Sequence, residues 1–567
     1  LELVRRQTDE LENLCKRGAE LMRYKNRFRR SIAMIAATAF LSLQMGIASA
    51  GGGFETRTTT PIKHLVVIFQ ENISFDHYFG TYPNATNPAG EPVFQAAKGT
   101  PPVNGLSNGL LTSNPNSLNA SNLAGASNPF RLDRSQAATA DQDHNYLPEQ
   151  LAFDHGLMDL FPMSVGTAGP PPSAPPDAVT TTGLTMGYYD GNTVTAFWNY
   201  AQRFAMSDNS FGTTFGPSTP GALNLIAGQT NGAVAAMGSN VSSVTVPNTD
   251  NSLTLIGDAD PTGDMCSTSS KQVSMSGVNI GDLLSKSSVT WGWFEGGFDL
   301  SGTNENGTMG CSRTTTSDVT GVTEVDYIPH HAPFQYYAST ANLDHKRPTS
   351  LAAIGTNKDA ANHEYDTNDF FEAVATGNFP SVSFLKAPGF QDGHAGYSDP
   401  LDEQNFVVSV INFLQKQPDW RSTAVVISYD DSDGWYDHQL GPILNQSTSS
   451  FDGLTGSDQC GTGDAALPGV NPALAHAQGR CGYGPRLPLL VISPFSRVNF
   501  VDHTPTSQTS IIRFIEDNWL NSKRIGQGSF DALTNSITGM FDFAHPNHDA
   551  LFLDPTTGEQ GRGHHGF

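Results

Sequence analysis

The chain has 567 residues, with 31 Lys and Arg against 55 Asp and Glu and a formal net charge of −24. Hydrophobic residues are 38% and aromatics 10%, enough for a large core, which excludes wholesale disorder. The acidic balance excludes nucleic acid as a polymer ligand, because a phosphate backbone would be repelled over most of the surface. Plentiful Gly (56) and Pro (35) with only 15% charged residues fit a loop-rich exported protein better than a helical cytosolic one.

In chain order, Arg23, Lys25, Arg27, Arg29 and Arg30 form a basic stretch. An apolar run from Ile32 to Ile47 and the small-residue site Ala48-Ser49-Ala50 follow. This layout predicts a signal peptide over 22–50. The run is shorter than the roughly 20 residues a membrane anchor needs. The pair Arg29-Arg30 loosely fits the twin-arginine route. Residue 1 is Leu and Met22 directly precedes the basic stretch, so residues 1–21 read as an upstream extension of the frame. The expected mature chain, 51–567, has net charge −28 and no transmembrane segment, and is periplasmic or extracellular. It keeps Cys266, Cys311, Cys460 and Cys481. An even number in an exported chain predicts two disulfides. Of the three connectivities the local one, Cys266–Cys311 with Cys460–Cys481, is expected, and no spacing matches a C-x2-C zinc site.

Residues 62–70 (IKHLVVIFQ) predict a buried strand. Residues 90–140, poor in large apolars, read as a surface insertion, and 169–176 (GPPPSAPP) as a proline-rich linker or lid. A helix leading to a short strand is predicted over 195–206, and strands over 288–294 and 381–385. The remaining segments are a helix over 403–416, strands over 423–429 and 487–493, and a helix over 507–520. Near-continuous apolar strands alternating with helices indicate an α/β fold around a largely parallel sheet. Loop-rich insertions near 90–140 and 165–180, and a cap or subdomain near 235–330, complete the expected single catalytic domain.

Two strands end in polar clusters. One runs into Glu71-Asn72, the other into Asp430-Asp431. Ligands of open α/β sheets bind outside the carboxyl ends of strands. Clustered carboxylates repel unless something positive lies between them, and an oxygen-liganded divalent metal ion meets that need. Neighbours on a flat strand face opposite ways, so both aspartates converge only if the chain turns at the following Ser-Asp-Gly. The alternative is a pair of strand-end turn acids. An EF-hand fails, since Tyr429 and Leu440 stand where acidic ligands are required. In FGPSTPGALNL, Pro220 suits the first turn of a helix and Ser218 or Thr219 its cap. A hydroxyl there is a candidate nucleophile for phosphate in the field of the helix N-terminus, or a plain capping serine. His144, His330, His331 and His394 sit in loop-like contexts where functional side chains concentrate. Of the adjacent pair His330 and His331, one faces a given ligand.

Taken together, the stretches PIKHLVVIFQENISFDHYFGTYP, DQDHNYLPEQLAFDHGLMDLF, FGPSTPG, HHAPFQYY, SYDDSDGWYDH and GYGPRLPLLVISPFSRVNFVDHTPTSQTSIIRFIE resemble a known family. It is the bacterial phosphoesterase family of secreted acid phosphatases and phosphatidylcholine-type phospholipases C, in the alkaline-phosphatase-like superfamily. The resemblance implies a three-layer αβα core with a mostly parallel central sheet, a smaller inserted subdomain and long loops. It implies that Glu71, Asn72, Asp430 and Asp431, with Ser218, line a centre for one divalent metal ion and a small phosphate ester. It implies that Ser218 is the nucleophile, in the slot where phospholipase members usually carry Thr. His144, His330 or His331, and His394 would contact phosphate or assist proton transfer. Ser218 followed by TPGALNL, and the absence of a C-terminal β-sandwich extension, place the expectation on the acid phosphatase branch, with phospholipase C as the alternative. The expected mechanism is double displacement through a phosphoserine, with an acidic pH optimum. A secreted binding protein with a decayed site is the remaining class, and the complete set of polar residues weighs against it.

Overall fold

The computed structural model describes residues 57–166, 183–248, 250–445, 447, 449–454, 460 and 478–561. The expected signal peptide and upstream extension, the proline-rich stretch 169–176 and the tail pair His564-His565 lie outside these.

An eight-stranded sheet forms the centre. Its strands are β1 (His64–Gln70), β2 (Ala205–Ser207), β3 (Trp291–Glu295), β4 (Glu364–Asp366), β5 (Val382–Lys386), β6 (Thr423–Tyr429), β7 (Leu489–Ile492) and β8 (Phe500–Asp502). They lie in the order β4-β3-β5-β1-β6-β7-β2-β8. β1 pairs in parallel with β5 on one side and β6 on the other. Only β7 runs against its neighbours, so the sheet is mostly parallel, as the continuous apolar runs predict.

The alternation of β1 makes three layers. Val66 and Ile68 face one core, shared with Val425 and Ile427 of β6. That core is closed by α1 (Phe75–Phe79), α2 (Thr195–Arg203), α5 (Thr367–Ala375) and α6 (Pro400–Leu414) through residues such as Phe75, Phe197, Phe370, Val407 and Ile411. Leu65, Val67 and Phe69 face the opposite core with Ala424 and Val426. There α3 (Ser218–Ala227), α4 (Ile280–Lys286) and α7 (Thr509–Trp519) pack through Leu223, Leu284, Ile512 and Ile515. Period-two alternation therefore gives each face of the sheet its own apolar layer.

α6 begins earlier than its apolar periodicity indicates. Asp399 caps it by accepting from the backbone N–H of Leu401 and Asp402, and Pro400 occupies the first turn. In the asparagine-rich stretch 90–140, Asn114, Asn116 and Asn122 are buried rather than exposed. The Asn116 amide donates to the Met158 carbonyl and Asn122 to the Asp159 carbonyl, so polar side chains supply cohesion that apolar ones supply elsewhere. A small five-stranded sheet forms within residues 231–275. Cys266 is bonded to Cys311 and Cys460 to Cys481, with Cα atoms 5.2 and 5.5 Å apart, the local connectivity expected. Among the described residues no helix is long and apolar enough to cross a membrane.

Candidate active site

The central strands β1, β5 and β6 deliver their last residues to one edge of the sheet. After Gln70 the chain bends at Asn72, whose φ of 62° lies in the left-handed region that Asn tolerates better than most residues. After Tyr429 it turns through Asp433 (φ 55°) and Gly434 (φ 71°). The turn is held by side chains of the cluster itself. Asp430 Oδ1 accepts from the backbone N–H of Asn72 (2.9 Å) and of Asp431 (2.8 Å), and Asp431 Oδ1 accepts from Asp433 N–H (2.8 Å). This bend allows consecutive aspartates to serve one site.

Ser218 closes the cluster from α3. Neither Ser218 nor Thr219 caps that helix. Pro217 occupies the cap position without a side-chain bond, and Ser218 is the first helical residue. The Ser218 hydroxyl donates to Glu71 Oε2 at 2.8 Å, with Asp431 Oδ2 at 3.3 Å. The Thr219 N–H is not free for a ligand, because Asp258 accepts from it at 3.0 Å. Glu71, Asn72, Ser218, Asp430 and Asp431 are all buried. Helix α3 reaches the acidic turn because Gly221 has no side chain: a Cβ there would stand 2.3 Å from the Asp430 carbonyl oxygen.

The histidines divide by environment. His331 is buried, its Nδ1 3.5 Å from Glu71 Oε1 and 3.8 Å from Asp392 Oδ2, while its Nε2 has no hydrogen-bond partner. Burial, with His330 and His394 nearby, holds it well below the usual imidazole range. His330 turns the other way, toward Asp260 at 3.9 Å, so one member of the pair faces the cluster. His394 is pushed down by burial; its Nδ1 donates to the Ala395 carbonyl at 2.6 Å. His144 behaves oppositely. Burial opposes its charge, yet Asp431, Asp141, Asp433 and Asp258 together hold the imidazole well above its ordinary range. Its ring lies 5.6 Å from that of His394.

The donor set suits a hard cation. Asn72 Oδ1 faces Glu71 Oε2 at 2.8 Å and Asp430 Oδ1 at 3.2 Å, three acceptors with no proton among them. Rotating the amide would relieve this by pointing its NH2 at the carboxylates. Its oxygen would then need a proton from His394 Nε2, 3.0 Å away. A neutral His394 has its proton on Nδ1, bonded to Ala395, so Nε2 is an acceptor and the amide nitrogen belongs beside it. In this orientation the oxygen lies among carboxylates with the Ser218 hydroxyl 3.5 Å away, a place that a cation would stabilise. Burial and the adjacent Asp430 push the Asp431 carboxyl well above its usual range, the same unmet need for positive charge. All five donors are oxygens, the preference of magnesium, calcium or manganese.

Three further groups of potential ligands occur among the described residues. Asp141, His144, His394 and Asp433 adjoin the cluster just described. Cys266 removes itself from a second group by its disulfide, and Arg486 neutralises Asp76 and Asp437 in the third. Sequence reasoning missed Lys386, Asp392 and Asp433. Lys386 is buried and ion-paired with Glu71 Oε1, and burial pushes the Asp392 carboxyl up to about 8. The rule that drew attention to Gln70 and Tyr429 also covers Lys386, the last residue of β5, and the loop after it.

A sequence profile described as the phosphoesterase family matches residues 62–520. Among curated proteins, a non-hemolytic phospholipase C of Pseudomonas aeruginosa is 23% identical over 88% of this chain and 60% of its own length. That of Burkholderia pseudomallei is 24% identical over 89% and 62%. Phospholipase C B of Mycobacterium tuberculosis is 24% identical over 92% of this chain and 85% of its own. The chain thus spans about 60% of the length of the first two relatives. Among solved structures, a murine ectonucleotide pyrophosphatase/phosphodiesterase 5 aligns with TM-score 0.27 at 12% identity, over 62% of this chain and 95% of that one. A Vibrio parahaemolyticus protein of the alkaline phosphatase superfamily aligns with TM-score 0.23 at 10% identity, over 71% and 74%. Scores this low carry no argument about chemistry.

Proposed function

The chain belongs to the phosphoesterase family, and on that premise we propose that it is a metal-assisted phosphoric ester hydrolase with Ser218 as nucleophile. One observation carries the reading: a buried serine hydroxyl at a helix start bonds a carboxylate instead of capping its helix. A divalent cation held by Glu71, Asn72, Ser218, Asp430 and Asp431 would supply Lewis acidity to the serine oxygen and the phosphoryl oxygens.

The protein's own residues account for the remaining steps. Glu71 accepts from the Ser218 hydroxyl, fixes its direction and takes its proton as the Oγ–P bond forms. The P–O bond to the leaving group breaks in line. His144, kept protonated by four surrounding aspartates, gives its proton to the departing oxygen. In the second half, water attacks phosphoserine and the Oγ–P bond breaks. The water's proton passes to neutral His331, whose Nε2 has no other partner, Glu71 returns its proton to the departing Ser218 Oγ, and exchange with solvent restores neutral His331 and protonated His144. Positioning and fixed charge carry most of the acceleration.

For the substrate, the relatives named phospholipase C support a phosphodiester of the kind those enzymes' names imply, and we adopt that reading. Acid phosphatase, the branch expected from the residues after Ser218, is the second reading. Comparing turnover of p-nitrophenylphosphorylcholine with that of p-nitrophenyl phosphate decides between them. Ser218→Ala should abolish both activities, and a variant that keeps wild-type turnover overturns the nucleophile. An imidazolium acid gives a rate that falls at high pH, so a profile with no alkaline fall contradicts His144 as the donor.

A further inference from the structure

We propose that Lys386 is a positioning residue for the nucleophile: it grips one oxygen of Glu71 so that the other is aimed at Ser218. The proposal rests on Ser218 being the nucleophile and adds a third member to that pair.

Lys386 ends β5, which runs parallel beside β1, the strand that leads into Glu71. Its ammonium is ion-paired with Glu71 Oε1, and both side chains are 1% exposed. The Phe69 ring lies on another side of it, 5.6 Å from the nitrogen to the centroid. Glu71 Oε2 receives the Ser218 hydroxyl at 2.8 Å. A carboxylate is planar and rigid, so holding Oε1 fixes where Oε2 lies. Ammonium, carboxylate and hydroxyl form one chain, in which the group that activates a nucleophile is itself oriented by a third. Among the described residues Lys386 is the only lysine or arginine ion-paired with a member of the cluster. Asp430, Asp392 and Asp431 also act on it electrostatically. Because the ammonium is already engaged by Glu71, it orders the nucleophile instead of binding the ester.

This separates Lys386 from a substrate-binding lysine. Lys386→Met should lower kcat about 100-fold while KM stays within about threefold, the signature of lost alignment. In a Glu71→Gln background the same change should lower kcat by less than about threefold, because its route of action has gone. Affinity for Mn2+, titrated calorimetrically as the probe cation, should be no weaker in Lys386→Met than in wild type, since a nearby positive charge has been removed. Lys386→Arg, which keeps the charge, should recover kcat to within about tenfold, and it serves as the test if the methionine variant does not fold. A full, independent loss in the Glu71→Gln background overturns the proposal, as does a rise in KM matching the fall in kcat/KM. If Ser218→Ala retains activity, the nucleophile reading fails first. If Ser218→Ala is inert while Lys386→Met turns over normally, only the positioning role fails.

Discussion

Gly221→Ala is the most exacting check on how the cluster is assembled. The added Cβ would lie 2.3 Å from the Asp430 carbonyl oxygen, 2.7 Å from its carbonyl carbon and 2.9 Å from its Cα. Ordinary contact begins at 3.4 Å, so helix and turn must separate by about 1 Å. The turn cannot yield cheaply, because the Asp430 carbonyl accepts from the Gln508 side chain and its N–H donates to the Gln70 carbonyl. The helix must move, and Ser218, one turn earlier, moves with it. A displacement of about 1 Å costs roughly 100-fold in rate, or about 2.7 kcal/mol of barrier. The stability effect is smaller. Overpacking costs about 1–3 kcal/mol, and alanine in a helix returns about 1 kcal/mol relative to glycine. The expected variant folds, melts within several degrees of wild type and turns over a p-nitrophenyl ester about 100-fold more slowly. A folded Gly221→Ala enzyme within threefold of the wild-type kcat would refute the claim that this glycine sets the distance between nucleophile and carboxylates.

Other measurements follow from the same structure. Burial pushes the Glu403 carboxyl from 4.5 up to about 8 while Tyr78 and Tyr429 donate to it. Between those two values the folded state binds a proton that the unfolded state lacks, so stability falls as pH rises, by up to about 1.4 kcal/mol per pH unit. In denaturant titrations from pH 5 to 8, Glu403→Gln should flatten that slope, and an unchanged slope rules the assignment out. Exhaustive chelation should lower both the melting temperature and turnover, with recovery on adding a divalent cation; protein that is fully active and free of metal by elemental analysis contradicts the oxygen-donor site. The Cys266–Cys311 bond spans 45 residues, for which loop-closure entropy gives about 4 kcal/mol. Cys311→Ser should lower unfolding free energy by that order, and no measurable loss means the linkage adds nothing to stability.

Much of the fold was legible because its physics is local. Leu65 to Phe69 and Ala424 to Ile427 are uninterrupted apolar runs, and a strand buried on both faces is the economical reading. The direction of β7 was not legible: residues 489–492 carry an apolar run like the others, and pairing sense is decided by connections rather than composition. At the site, the strand-end rule located Glu71, Asn72, Asp430 and Asp431, which the structure brings together with Ser218. Lys386 escaped because a single lysine after an apolar strand reads as a solvent-facing terminus; its burial depends on Glu71, 315 residues earlier. The separate environments of His144 and His394 were equally hidden, since each is set by acids and carbonyls from other loops.

The place of β1 has a consequence for biosynthesis. The Asn72 N–H meets Asp430, 358 positions further along the chain, and both sheet partners of β1 come from the later part of the chain. At about 5–20 residues per second a ribosome needs roughly 20–70 s to supply them. Throughout that interval an apolar segment has two unsatisfied edges, a hazard for a nascent chain that invites a holding chaperone. The same delay acts as a safeguard: a polypeptide interrupted before residue 430 carries Ser218 and Glu71 but neither Asp430 nor Asp431, so the acidic cluster cannot assemble on it.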